Sequence, residues 1–282
     1  DGILRLGATP GIAADLEKSA AAGARTAAWL WGCTPPHGDN PPAAEPFVVL
    51  LADTFSDEPA AVGIEQPTHR ALWNAARQIA ADKWESPNSV QPETLLRAAE
   101  RSTRLELSDK DLRRWFLQLV ENVLVPAALV TQVDHTISAA RIPLRIVGQH
   151  RNRPSLKEIE VLSEHLLNPT QTAELPRPLA AICPYAREPL GPNLVQAAAL
   201  GWPLFVQTAD DRQLARNLGG VLVPAEHLLT FWRGRELREA LQAAQQRPQV
   251  AQQRAAKAAQ HVCEKHSWTQ RLRALRELVA SA

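Results

Sequence analysis

From residue 143 onward the chain alternates short apolar runs with helical stretches of about ten residues, and that alternation admits few folds. Residues 143–148 read as a strand, 155–167 as a helix, 179–183 as a strand, 192–200 as a helix and 203–207 as a strand. Residues 210–218 continue as a helix, 220–223 as a strand and 235–246 as a helix, and 249–282 is helical with a break near His266-Ser267. Strands separated by whole helices form βαβ units, which build a parallel sheet with helices on its faces.

The first half is less regular. A strand at 3–6 precedes the turn Gly7-Ala8-Thr9-Pro10-Gly11 and an Ala-rich helix over 12–22 that stops at Gly23. The turn lacks the third glycine of a dinucleotide fingerprint and the Gly-Lys-Ser/Thr of a P-loop, so it reads as a tight strand-to-helix turn lining an interdomain cleft. Strands are expected at 26–31 and 47–51; the second is wholly apolar and ends at Ala52-Asp53, in the manner of a buried parallel strand. Four prolines between Thr34 and Pro42 remove donors and exclude regular structure there. Residues 68–140 turn helical, with Leu72, Ala76 and Ile79, then Leu112, Phe116, Leu119 and Val123, on helical spacing. Ser108 with Asp111 three residues later marks a helix start. Trp73, Trp84 and Trp115 in this block are expected to pack against neighbouring helices. The domain boundary falls near residue 140, dividing the chain into an N-terminal domain over 1–140 and a C-terminal domain over 141–282.

Charge narrows the partners. Thirty-one Lys plus Arg against 30 Asp plus Glu leave a formal charge of +1, too little field to gather nucleic acid, and no basic stripe interleaves with aromatics. The longest apolar stretch, 123–133, is interrupted by Pro126 and Thr131 and is short of the roughly 20 residues that cross a bilayer, so no transmembrane segment is expected. Cys33, Cys183 and Cys263 are odd in number and widely spaced, which indicates neither a disulfide framework nor a zinc knuckle. With no secretory signal in residues 1–7, the expected setting is cytoplasmic, compatible with a peripheral position at the inner membrane. Methionine is absent, although a usage of about 2% is ordinary; the expectation is a piece of a longer chain, or a sequence lacking its methionines.

In an open parallel sheet, ligands bind outside the carboxyl ends of the strands, where helix N-termini present free amides. Two segments of the second half lie there. Gly148-Gln149-His150-Arg151-Asn152-Arg153-Pro154-Ser155 follows a strand and enters a helix capped by Ser155 with Glu158 three residues on; Gly148 permits close backbone approach, and Arg151 and Arg153 are suited to fork onto phosphate oxygens. The second segment runs from Tyr185 to Val206. It holds Glu188, Gly191 three residues on, Gln196 eight residues after Glu188, and then a small-residue helix, Gly201-Trp202-Pro203 and an apolar strand.

That second segment resembles the nucleotide-sugar-binding motif of GT-B glycosyltransferases, in which a Glu, a Gly three residues on and a second acidic residue eight after the first precede a small-residue helix, Gly-x-Pro and a strand. Glu188, Gly191, Ala197, Gly201 and Pro203 fall on the pattern without a gap, and Gln196 takes the place of the second acid. The tail from Val221, with Cys263-Glu264-Lys265-His266-Ser267-Trp268-Thr269-Gln270-Arg271-Leu272, is similar to that of the group 1 glycosyltransferases that include spore-maturation-like proteins. The resemblance covers residues 142–282. It implies an α/β, GT-B-like fold, two Rossmann-like domains facing a cleft, with extra helices in the N-terminal half.

The resemblance also implies roles. Glu188 would bond the donor sugar or the ribose, a task for which a carboxylate accepting two hydroxyls is suited. Gly191 with the amides of Asn193 and Leu194 would face the diphosphate, and Gln196 would take the ribose. The implied reaction moves a glycosyl group from a nucleotide diphosphate sugar donor to a sugar, lipid or protein acceptor, without cofactor and with retention. The leaving diphosphate would be held by amides and arginine rather than by a metal. A catalytic base would come from Asp53, His37 or His69. Asp210-Asp211 reads instead as a charge pair at a helix start. Two alternatives share the pattern: a non-catalytic GT-B-like partner protein, suggested by the uncharged Gln196 and the missing obvious base, and a nucleotide-sugar epimerase, which needs a carboxylate set and a His not assignable here.

Overall fold

The structure is a computed structural model that describes residues 4–7, 25–28, 33–35, 43, 45–52, 57–82, 91–148, 160–163, 166, 175–184 and 191–280. Its centre is a parallel six-stranded sheet. In chain order the strands are β3 (Val48–Leu51), β4 (Leu144–Val147), β5 (Glu160–Ser163), β6 (Ala180–Cys183), β7 (Leu204–Gln207) and β8 (Leu228–Phe231), and in space they run β5-β4-β3-β6-β7-β8. Counted from β3, that is the order 3-2-1-4-5-6 of a doubly wound sheet, whose direction of winding reverses between its first and fourth strands. Here the reversal lies between β3 and β6. A separate parallel pair, β1 (Leu4–Gly7) with β2 (Arg25–Ala28), precedes it.

The period of two along each strand sorts the core. Val48 and Leu50 of β3 join Ile146, Ile182 and Phe205 on one face, under α4 (Val125–Ala139) and α7 (Gly234–Gln246). Val49 and Leu51 join Val147, Ala181 and Val206 on the other, under α5 (Pro192–Ala199) and α8 (Pro248–His266). Helix α6 (Asp211–Leu218) contributes Leu214 and Leu218 to that second face. Helix α9 (Trp268–Ala280) follows the break at Ser267.

Between β3 and β4 the chain builds a helical insert with a core of its own. Helices α1 (Pro67–Asp82), α2 (Pro92–Thr103) and α3 (Lys110–Leu119) gather Leu72, Trp73, Leu95, Leu96, Phe116 and Leu124, with Trp73 edge-on to Phe116 at 5.8 Å. A π turn over Val120–Leu124 joins α3 to α4, and the Val125 amide donates to the Val120 carbonyl across it. Pro126 explains the turn: it lacks the amide that an unbroken α-helix would use there, and the wider turn makes room for its ring.

The run Lys110–Ala139 is thus continuous over 30 residues and apolar enough to cross a membrane by length and composition. Several of its apolar side chains are buried inside the protein, Leu124, Val125 and Leu129 in the insert and Val130, Val133 and Ile137 on the sheet. At 1.5 Å per residue it measures about 45 Å, whereas a four-residue strand covers about 13 Å. Because α4 ends where β4 begins, the helix descends from the carboxyl edge of the sheet to the amino edge. Its upper half, with α1 and α2, therefore stands beyond the carboxyl edge, and Trp232, just past the carboxyl end of β8, packs into the insert core.

Four expectations are corrected. The boundary near residue 140 does not separate two sheets, because β3 pairs with β4 on one side and β6 on the other; the doubly wound unit opens at β3, and the first-half strand at 47–51 belongs to it. Residues 160–163, expected as helix, form β5, whose pairing with β4 outweighs local propensity. The strand expected at 220–223 is instead Leu228–Phe231, while Val221 and Leu222 are buried in a turn. The cap of α3 is Asp109, which accepts from the amides of Asp111 at 2.9 Å and Leu112 at 2.8 Å, rather than Ser108. The helix expected over 12–22 and Trp84 lie outside the described residues.

The insert and the sheet meet closely where α4 crosses the start of α7: a methyl group on Gly234 would lie 2.6 Å from Thr136 Oγ1. Gly234→Ala is expected to lower the urea midpoint, by about 1–2 kcal/mol despite the better helix propensity of alanine. Adding Thr136→Ala should recover most of the loss. Losses that simply add would overturn this account of the contact.

Candidate functional site

The winding reverses between β3 and β6, and a doubly wound sheet holds ligand in the crevice outside the carboxyl ends of its strands at such a point. Three described features border it. Gly148 leaves β4 buried and with φ 148°, a conformation open to glycine. Cys183 ends β6, and burial pushes its thiol up to about 12, so it stays protonated at neutral pH and is no nucleophile. Beyond it, α5 begins at Gly191.

The start of α5 is built to be open. Gly191 is the N-cap with extended backbone and carries no side chain to cap the first turn, and Pro192 has no amide to satisfy. That leaves the amides of Asn193 and Leu194 as first-turn donors with no partner among the described residues. A methyl group on Gly191 meets no atom within 4 Å, so space lies above it. The other end is closed by Gly201 at φ 68°, with Trp202 donating to the Ala197 carbonyl at 3.1 Å and Gly201 to Ala198 at 2.9 Å. This paired termination, with Trp202 buried against the core, fixes the direction of α5.

Two polar residues of α5 bind protein. Asn193 Oδ1 accepts from the Leu166 amide at 3.0 Å and ties the segment after β5 to the helix start. Gln196 is 1% exposed, and its carboxamide exchanges two bonds with the backbone of Thr34, accepting from its amide at 2.9 Å and donating to its carbonyl at 2.8 Å. The residue expected as a ribose ligand is thus engaged with the Thr34 backbone in this structure. A carboxylate could not return the second bond, which is a physical reason for glutamine at this position.

Thr34 belongs to a seam. The amide of Cys33 donates to the His266 carbonyl and the Cys33 carbonyl accepts from Trp268, each at 3.0 Å, so this strand-like segment closes over the break between α8 and α9. The Cys33 thiol is buried and shares a hydrogen bond with Cys263, which together hold its pKa far above the ordinary value. Beside it His227, His261 and His266 stack with centroids 4.7 and 5.4 Å apart. Each ring is committed: His227 Nδ1 accepts from the Val223 amide, His261 Nε2 meets the Gly220 carbonyl and His266 Nδ1 meets Arg271. Among the described residues no three His, Cys, Asp or Glu converge to hold a metal.

The remaining expected residues divide. Glu188, Asp53, His37, Arg151 and Arg153 lie outside the described residues. Gly148 follows the carboxyl end of β4, and Gly191, Asn193 and Leu194 lie at the start of α5. Asp210 caps α6, its Oδ1 accepting from Arg212 at 2.8 Å and Gln213 at 3.2 Å, so the Asp210-Asp211 pair serves the helix. His69 stands on α1 in the insert. Sequence reading missed Gln207, fully buried at the carboxyl end of β7, where Nε2 donates to the Trp232 carbonyl at 3.0 Å and Oε1 has no partner. Its one visible signal is a polar residue ending the apolar run Leu204-Phe205-Val206.

Gln196→Glu is expected to destabilise by about 2–4 kcal/mol at neutral pH, because it buries a carboxylate against the Thr34 carbonyl. The deficit relative to the parent should shrink in acid, where a protonated carboxyl donates again; a constant deficit across pH in chemical denaturation would contradict the pairing. His266 carries a second pH dependence. Burial first, then Arg271, His261 and Lys265, lower its pKa to about 4, so the folded state prefers the neutral ring more strongly than the unfolded chain does. The associated stability is present above about pH 6.5 and is lost as pH falls toward 4, by on the order of 2 kcal/mol after allowance for partial exposure. His266→Gln should flatten that limb of the stability profile.

Comparison with known proteins places this geometry. A search of curated proteins finds no match. The solved sucrose-phosphate synthase from Thermosynechococcus elongatus aligns with all of this chain at 16% identity and a TM-score of 0.46, and the chain spans 59% of that protein's length. The model of the glycosyl transferase-like family matches residues 135–277, just over half of the 282 residues and the whole of β4 to β8 with α5 to α8. The chain belongs to the glycosyl transferase-like family.

Proposed function

We propose that the protein transfers a glycosyl group from a nucleoside diphosphate sugar held in the crevice between β3 and β6. The observation that carries this reading is the start of α5: a glycine N-cap with open space above it and two amides without a partner among the described residues, at the point where the sheet reverses. Amides at a helix start attract an anion through their donors and the helix dipole, and a diphosphate is the leaving group such a site stabilises. Arg151 and Arg153, which follow Gly148, supply further positive charge to the diphosphate. Glu188, three residues before Gly191, accepts hydroxyls of the donor sugar or the ribose. Asp53, which follows β3, and His37 are the candidates for a base. Under this reading the reaction needs no metal and retains the anomeric configuration.

The case for a non-catalytic partner protein drew on an uncharged residue at position 196. Gln196 is occupied with Thr34, so its lack of charge has a structural cause and argues less for that alternative.

Thermal unfolding with a panel of nucleoside diphosphates and nucleotide sugars tests the proposal. A ligand that binds the native state alone adds about 2.7 kcal/mol at 100 times its dissociation constant. Gly191 has extended backbone and a Cβ there meets no atom within 4 Å, so Gly191→Val should unfold close to the parent temperature yet lose the shift, as should Glu188→Ala. An absence of any shift at millimolar ligand, or an undiminished shift in Gly191→Val, would overturn the placement of the donor.

A further inference from the structure

The insert carries a groove that the donor site does not use. It has a volume of 370 Å³ and is lined by Gly63, Glu65, Gln66, His69, Leu112 and Trp115, with Ile64 beneath. Helix α3 presents two adjacent aromatics in opposite senses: Phe116 is fully buried, whereas Trp115 is 38% exposed. The other large exposed apolar side chains among the described residues are aliphatic. A half-exposed indole costs hydration that a buried one does not, and this one forms one wall of a concave surface rather than standing alone.

The opposite wall is polar. Glu65 and Gln66 are exposed, His69 is half-buried in the first turn of α1, and the Glu65 carbonyl is taken by Arg70 at 3.0 Å, which steadies the backbone before the helix. A carboxylate accepts two hydroxyl donors, a carboxamide donates and accepts, and an imidazole does either. An aromatic face beside such a set matches a pyranose, whose ring has an apolar C–H face and an equatorial rim of hydroxyls. The volume lies within the range of small-molecule sites. The groove also lies on the part of the chain that stands beyond the carboxyl edge of the sheet, on the same side as the crevice between β3 and β6.

We propose that this groove is a saccharide-binding subsite, in which a neutral sugar stacks on Trp115 and is hydrogen-bonded by Glu65, Gln66 and His69. Resting on the transferase reading above, the bound sugar is a unit of the acceptor. Glu65 sets the class: an acidic sugar is repelled and a neutral one accepted.

The test uses the full chain labelled with 5-fluorotryptophan and observed by fluorine NMR, with the Trp115 resonance assigned from Trp115→Phe. Maltotriose, cellotriose, chitotriose and glucuronic acid are titrated to 50 mM, and octyl alcohol serves as an apolar control. The expected result is a saturable shift of the Trp115 resonance with at least one neutral trisaccharide, none with glucuronic acid, and unmoved resonances from the buried Trp73 and Trp202. Glu65→Gln and His69→Ala, both surface changes, should each weaken the titration several-fold. A Trp115 resonance that is sharp yet unmoved by every saccharide, or that moves with octyl alcohol alone, overturns the proposal. Nucleoside diphosphate binding to the unlabelled parent, followed by thermal shift, separates the two readings. Saccharide binding without nucleotide binding leaves the subsite standing and removes the transferase; nucleotide binding without saccharide binding does the reverse.

Discussion

The fold depends on β3. Four residues, Val48 to Leu51, are buried on both faces and lie between strands that follow them by roughly a hundred residues and more. Without that strand the remaining five would split into a pair, β4 with β5, and a triplet, β6 to β8, with an open edge on each. Unpaired edges carry exposed amides and carbonyls and invite wrong pairing. With it, Val48 and Leu50 join the two halves of one core face and Val49 and Leu51 join the two halves of the other. The same placement creates the reversal of winding, and therefore the crevice. It also forces the insert to begin at the carboxyl edge, which puts the Trp115 groove on the side where doubly wound sheets bind their ligands.

A second constraint acts on α5. Its N-terminus is left open by Gly191 while its flank is held by Gln196 to Thr34, its entry by Asn193 to Leu166, and its exit by the turn at Gly201. A helix start can receive an anion in a fixed geometry when the rest of the helix is immobilised, because the amides then need no reorganisation. The side chains of Asn193 and Gln196 fasten the helix, while the amides of its first turn have no partner among the described residues.

Much of this was legible in the sequence, and what was not had a common cause. The alternation from residue 143 gave β4, β6, β7 and helices α5 to α8 because each element has a pure period and clear punctuation. The run at 47–51 was recognised as a buried strand, yet its partners were not, since a wholly apolar run matches any parallel neighbour and periodicity holds no information on pairing. Residues 160–163 and 228–231 were misjudged for a similar reason: an edge strand of Glu-Val-Leu-Ser owes its state to β4, and Leu-Leu-Thr-Phe competes with the equally apolar Val221-Leu222 nearby. At the candidate site, the open start of α5 was readable from Gly191-Pro192. The bonds of Gln196 to Thr34 were not legible, because the partner is the backbone of a residue 162 positions away, and backbone atoms leave no mark in a sequence. The groove on the insert was hidden differently. Helical spacing places Trp115 next to Phe116 but does not tell which of two adjacent aromatics faces outward.

The seam around Cys33 has a consequence for how the protein is made. Cys33 and Thr34 emerge well ahead of the groups they bind, because Gln196, Val262, His266 and Trp268 come 162 to 235 residues later. At the ordinary pace of translation, about 5–20 residues per second, the early segment waits on the order of ten seconds or more for its partners, and β3 waits for β4 and β6 in the same way. Contacts this distant in sequence also close slowly. The helical insert, whose core is assembled from residues 62–129 with Trp232 added last, is the part able to fold first. It would be in place above the ribosome exit while the sheet it stands on was still incomplete.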